Sequence, residues 1–158
     1  IVELATTSEA TTGTDTARAV TAAGVQAVRD LLVAKATFPV TIAIACSDMT
    51  TALTTGTTKA YWVAPWACTL TAVAATLATA GTGTVTTFDI NEGAGAGTSV
   101  LSTKLTIDVS ETDSATAATP AVISDSSIAA NGRITIDFDG VGTGAAGAIV
   151  YLSVTRAL

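Results

Sequence analysis

From Pro39 onward, apolar and polar residues alternate along short segments that glycine- and threonine-rich turns separate. In RITIDFD, for example, Ile134, Ile136 and Phe138 alternate with polar residues. A period of two is typical of a strand with one face in a core and the other in water. The pattern therefore predicts that the polar residues of this segment face solvent: Arg133, Thr135, Asp137 and Asp139.

The same alternation recurs in VTIAIAC, KLTIDV and AIVYLSVT, and less clearly in KAYWVA, CTLTAVAATLAT, TVTTFDIN, TSVLS and AVIS. The separators TTGTT, AGTGT, EGAGAG, AANG and GVGTGAAG have the composition of turns. Eight or nine strands at this spacing predict a mainly β chain in which residues 39–158 form an antiparallel β-sandwich, most simply a jelly roll.

Residues 1–38 follow a helical pattern instead. Thr6 or Thr7 is a candidate cap for the turn SEATT, which Gly13 would close, and Thr21 is a candidate cap for AAGVQAVRDLLVAK. Between them, RAV is predicted to be a brief extended piece. We therefore expect a short helical neck ahead of the sandwich.

The second predicted helix carries one apolar stripe, with Val25, Val28 and Leu32 at positions i, i+3 and i+7 and Leu31 beside them. A helix of this length is marginal alone and needs a surface to pack against. Three copies around an axis would bury all three stripes together, which predicts a homotrimer. The alternative is that the stripe packs on the chain's own sandwich.

Charge and hydropathy narrow the functional classes. The net charge is −6 and the Lys and Arg residues are scattered, which disfavours binding to nucleic acid. No apolar run reaches 18 residues, so the sequence predicts no membrane insertion. The start, IVELATTSEATTGTD, has no features of a signal peptide, and we expect it to lie inside a longer or processed chain.

The chain contains no histidine, which excludes Ser-His-Asp and Cys-His catalysis and histidine-bound zinc. Asp137 and Asp139 lie about 7 Å apart if their segment is a strand, a spacing compatible with a glycosidase pair. Asp89 and Glu92 form a second pair. We expect all four carboxylates to be solvated on an outer face, and we predict no catalytic residue.

Three further features each have a structural and a functional interpretation. Asp89, Asn91 and Glu92 in DINEGAGAG offer oxygen ligands but lack the EF-hand pattern, so we predict neither a metal nor a cofactor. Cys46 and Cys68 fit no metal spacing and are expected to be buried thiols, with a disulfide as the alternative. Tyr61, Trp62 and Trp66 in YWVAPW are either a stacking platform for a glycan or anchors of a core or subunit interface.

The segment ELATTSEATTGTDTARAVTAAGVQAV resembles a short segment that recurs in fibre proteins of tailed bacteriophages, where it commonly contains ELAT, EA, GTD and AVTPAGL. Nearly every element of this pattern is present in the chain; at Ala22 the pattern favours proline. From about Cys46 onward, stretches such as FDINEGAGAGTSVLSTKLTID and ITIDFDGVGTGAAG look like a module at the C-terminal ends of phage structural proteins.

This resemblance implies a homotrimeric virion protein with a β-rich tip, no cofactor and no catalytic residue to transfer. We expect a tail fibre whose sandwich attaches to the host surface, through a glycan for instance. An anchor upstream of Ile1 would join it to other virion proteins. The alternatives are a capsid-bound head fibre or decoration protein, and a polysaccharide-degrading tip.

Overall fold

The computed structural model describes residues 4–12, 19–35, 37–95 and 97–157. The chain divides into two compact units, Ile1–Phe38 with Ala157–Leu158, and Pro39–Arg156.

The first unit contains two helices and a small parallel strand pair. Its elements are β1 (Leu4–Ala5), α1 (Thr7–Thr12), β2 (Ala19–Val20) and α2 (Ala22–Lys35), and β1 pairs with β2. Thr6 caps α1: its hydroxyl accepts a hydrogen bond from the Glu9 amide, and the Glu9 carboxylate accepts one from the Thr6 amide at 2.8 Å. This is a capping box, which confirms Thr6 as the cap. The predicted end at Gly13 lies outside the described residues.

Helix α2 has the predicted bounds. The Thr21 hydroxyl accepts a hydrogen bond of 3.0 Å from the Gly24 amide, and the Thr21 carbonyl accepts one from the Val25 amide. Thr21 is therefore the N-cap, as predicted. Helices α1 and α2 contact each other, so part of the apolar surface of α2 is covered within this unit.

The second unit is built from short and long strands with one 3₁₀ turn, Ser114–Thr116. The strands are β3 (Thr37–Ala45), β4 (Gly56–Val63), β5 (Cys68–Thr76), β6 (Thr86–Glu92), β7 (Thr98–Ser99), β8 (Leu101–Thr103), β9 (Leu105–Ile107), β10 (Val122–Ile123), β11 (Ser127–Ile128), β12 (Arg133–Gly140) and β13 (Ile149–Ala157).

These strands form a sandwich with jelly-roll order. One sheet has the order β11-β5-β13-β3; the other has β4-β12-β6, with β7 and β9 both pairing with β6. The chain alternates between the sheets along β3, β4, β5 and β6, and again along β9, β11, β12 and β13, which is the pattern of a jelly roll. The predicted mainly β, antiparallel sandwich is confirmed.

The core lies between these sheets and consists of aliphatic side chains around one aromatic pair. Phe88 and Phe138 meet edge to face with ring centres 5.2 Å apart. Ile134, Ile136 and Leu152 have no solvent exposure, as their alternation predicted. The prediction for KLTIDV was wrong at its end, because β9 stops at Ile107 and Val109 is exposed ahead of a turn in which Ser110 has a φ of 68°.

The prediction for the outer face of β12 was also wrong at two positions. Thr135 and Asp137 point away from the core but are buried. A period of two gives the side of a sheet on which a residue lies, whereas its exposure depends on what covers that side.

Candidate functional site

The outer face of the sheet β4-β12-β6 carries a cluster of buried polar side chains, which we call the polar cluster: Asp89, Asn91, Thr135 and Asp137. Thr135 lies opposite Asn91, and Asp137 lies opposite Asp89, across the β12–β6 ladder. Residues directly opposite in antiparallel strands have neighbouring side chains, so the ladder itself assembles the cluster.

Asp137 is held by two donors. Its carboxylate accepts a hydrogen bond of 2.6 Å from the Thr58 amide and one of 3.1 Å from Asn91 Nδ2. The β4–β12 ladder shifts register between Ile136 and Phe138, and Thr58 has a φ of 52°. This irregularity in β4 turns the Thr58 amide towards Asp137, so the carboxylate and the backbone irregularity stabilise each other.

Lys104 pairs with two neighbouring carboxylates. Its ammonium lies 3.0 Å from Asp89 Oδ2 and also pairs with Asp139, while the Ser99 hydroxyl donates a hydrogen bond to the other oxygen of Asp89. The hydrogen bonds to Asp139 and to Asp89 raise the pKa of Lys104 above its usual value. Asp89 therefore has donors on both oxygens, which explains how a buried carboxylate is accommodated.

The glycine-rich loop after β6 approaches this cluster. The Gly95 carbonyl accepts a hydrogen bond of 3.4 Å from the Thr58 hydroxyl. A Cβ added at Gly97 would lie 2.3 Å from the Glu92 carbonyl oxygen and 3.3 Å from the Asn91 Cβ, so only glycine permits this approach. Gly95 and Gly97 of this loop therefore lie close to Thr58 and Asn91 respectively.

The possible metal ligands in DINEGAGAG are separated. Asp89 and Asn91 lie on the outer face of the sheet. The Glu92 carboxylate lies beside Gly132 instead, since a Cβ added at Gly132 would be 3.3 Å from Glu92 Oε1. Within the described ranges, no group of three or more acidic or cysteine side chains is placed to hold a metal ion. The expectation that all four carboxylates are solvated was wrong for Asp89 and Asp137.

The three aromatic residues of YWVAPW do not form one surface. Trp62 and Trp66 are half-buried and pack against the core of the sandwich, whereas Tyr61 lies on the outer face and is 58% exposed. The guanidinium carbon of Arg133 is 4.1 Å from the centre of the Tyr61 ring, a cation–π arrangement. Of the three residues, Tyr61 is therefore the one whose ring is open to a ligand.

The two cysteines are free and buried. Burial raises the pKa of the Cys46 thiol to about 11 and also raises the pKa of Cys68. Both residues belong to the hydrophobic core, so they serve as small apolar side chains.

The predicted trimer stripe on α2 is partly exposed in the single chain. Val25 is 59%, Leu31 38% and Leu32 68% exposed, while Val28 is half-buried. Large apolar side chains that are exposed next to one another mark a surface suited to association. Among the described residues, no helix has the length and hydropathy needed to span a bilayer.

No protein-family model, curated protein or solved structure matches this chain.

Sequence reasoning missed the residues that bond to the polar cluster. Ser99 and Lys104 follow Asp89 in separate strands or turns, and Thr58 is 79 residues from Asp137, so only the fold shows that they are partners. The one signal in the sequence was the glycine-rich EGAGAG, which indicated a tight turn without indicating what the turn would cover.

Proposed function

We propose that this chain is a structural component of a bacteriophage virion, a homotrimeric fibre with an exposed sandwich that attaches to the host surface. The observation that carries the proposal is the apolar stripe of α2. Val25 and Leu32 are more than half exposed on a helix that is marginal without a partner, and burying them between copies would stabilise it.

The resemblance of residues 3–28 to phage fibre segments supports the same proposal. So does the jelly roll, an architecture common in viral capsid and lectin domains. We assign no catalytic role to Asp137 and Asp139. Asp137 accepts hydrogen bonds from two donors within the chain, and Asp139 forms an ion pair with Lys104. Tyr61 with Arg133 is the contact that we propose for a host glycan.

The solution mass of the full chain tests the proposal. Light scattering should give three times the chain mass of 15.6 kDa. Leu32→Glu should dissociate the trimer because it places three charges in an apolar seam. Ala23→Glu, which adds the same charge at an exposed position on the side of α2 opposite the stripe, should leave the mass unchanged. A parent chain that stays monomeric at every concentration would refute the proposal.

A further inference from the structure

The two sheets of the sandwich differ in charge. Strands β3, β5 and β11 carry no charged residue, and β13 carries only Arg156, whose guanidinium carbon lies 5.1 Å from the centre of the Trp66 ring. The other sheet carries six: Lys59, Asp89, Glu92, Arg133, Asp137 and Asp139. Among the strand residues of the sandwich, charged side chains are therefore concentrated in one sheet.

The outward-facing residues of β3, β5 and β13 form a surface that we call the neutral face. Tyr151 and Ser153 of β13 lie opposite Ala74 and Ala72 of β5. On β3, Ala43 faces outward because its neighbour Ile44 points into the core. Ala43 and Ala72 are exposed, and Tyr151, the aromatic residue of this face, lies on an inner strand of the sheet. Tyrosine is enriched where proteins associate, and charged residues are depleted there.

Three hydroxyl groups of the neutral face bond within the sheet. Thr41 Oγ1 lies 3.2 Å from Ser153 Oγ, and the Thr71 hydroxyl donates a hydrogen bond of 3.0 Å to the Ser153 carbonyl. Because these groups have partners inside the chain, covering them costs less than covering hydroxyls that depend on water.

A groove extends the neutral face along the edge of β5. It has a volume of about 640 Å³ and opens beside Thr71–Ala74. Its far side is lined by Leu105, Pro120, Val122 and Ile123, and no charged residue lines it. The groove offers a concave apolar site for side chains of whatever covers the face.

We infer that a second copy of this chain covers the neutral face, which is turned towards the trimer axis; this inference rests on the fibre function proposed above. Covering the other sheet would bring exposed or half-buried charged side chains such as Lys59, Arg133 and Asp139 into the contact, and each would need a partner there. The outward positions of the neutral face bring no charged side chain into a contact, which favours an equally neutral surface, such as the same face of a second copy, over a charged partner.

The area of the face agrees with a shared role. Three strands of nine residues cover about 30 Å by 14 Å, or about 400 Å², at the usual rise and spacing. A stable interface buries about 800 Å² on each partner. The neutral face therefore supplies about half of that area, and contacts outside the face must supply the rest.

Two substitutions on the face and one matched control test this inference in the full chain. Ala43→Glu and Ala72→Glu each place a carboxylate at an exposed position of the face. Ala94→Glu adds the same side chain in the exposed glycine-rich loop near the other sheet. Mass is measured by light scattering over a dilution series, and a melting curve verifies that each variant is folded. If one of the two face variants does not fold, Thr155→Glu takes its place.

We expect both face variants to raise the concentration at half-dissociation at least tenfold, and Ala94→Glu to leave it within twofold. If the face variants have the same concentration at half-dissociation as Ala94→Glu, and Leu32→Glu still abolishes the trimer, this inference is wrong and the proposed function stands. A parent chain that is monomeric throughout would overturn both.

Discussion

At the scale of single residues, the fold depends on close backbone approaches that only glycine permits. Gly147 has a φ of 72°, and a Cβ added there would lie 2.4 Å from the Ala78 Cβ. The Ala78 amide lies 3.1 Å from the Gly147 carbonyl oxygen, so the two segments are held together by hydrogen bonding. Gly144 has a similar φ of 79°, but nothing lies within 4 Å of its added Cβ.

This pair of glycines separates backbone strain from steric overlap. Gly144→Ala should lower the free energy of unfolding by about 1 kcal/mol, the cost of a left-handed alanine. Gly147→Ala carries the same strain plus the overlap with Ala78, and should lower it by about 3 kcal/mol. Urea denaturation measures both, and equal losses for the two variants would contradict the role assigned to Ala78.

A second prediction at this scale concerns the thiol of Cys46. Because burial raises its pKa to about 11, the reactive thiolate is scarce at neutral pH. Modification of the folded chain by a maleimide should be slow at pH 8 and should accelerate about tenfold per pH unit towards 11. Unfolding in urea should make the modification rate of Cys46 equal to that of a small-molecule thiol. Labelling is assigned to Cys46 in a Cys68→Ala chain, and rapid labelling of that folded chain at pH 7 would show that Cys46 is not buried as described.

At the scale of elements, helix α2 and the inward residues of β12 could be predicted because their signals are local. Thr21 caps Ala22–Lys35 through its own side chain, and Ile134, Ile136 and Phe138 alternate within one strand. The burial of Asp137 could not be predicted in this way. It depends on the irregularity at Thr58 and on Asn91 of the neighbouring strand, both remote in sequence.

The interplay of Asp137 with the β4 irregularity gives a prediction at the same scale. Asp137→Ala removes two charge-assisted hydrogen bonds and leaves the Thr58 amide without its acceptor, so it should lower the free energy of unfolding by about 3 kcal/mol. Asp139→Ala removes a carboxylate that is more than one third exposed and pairs with Lys104, and should cost about 1 kcal/mol or less.

Chemical denaturation of the two aspartate variants under one set of conditions provides the comparison. The Asp139 variant is the matched control, because it deletes the same group two residues further along the strand. A loss for Asp139→Ala as large as that for Asp137→Ala would mean that the ion pair with Lys104, rather than the Thr58 amide, stabilises this face.

At the scale of the whole molecule, the two sheets divide the surface of the sandwich into a charged side and a neutral side. The sequence contains this division, since β3 and β5 lack charged residues altogether. It could not be recognised before the strand order was known, because the neutral strands alternate along the chain with charged ones. Jelly-roll topology is what collects them into one sheet.

If the sandwich itself takes part in the assembly, its melting temperature must depend on chain concentration. Trp62 and Trp66 both pack against the sandwich core, so tryptophan fluorescence reports the melting of this unit. A hundredfold rise in concentration should stabilise each chain of a trimer by about 2 kcal/mol and raise the melting temperature by about 5 °C. The double variant Ala43→Glu/Leu32→Glu should melt at one temperature throughout. A parent trimer whose fluorescence transition does not move with concentration would mean that the α2 stripe alone joins the copies and that the neutral face stays open to solvent.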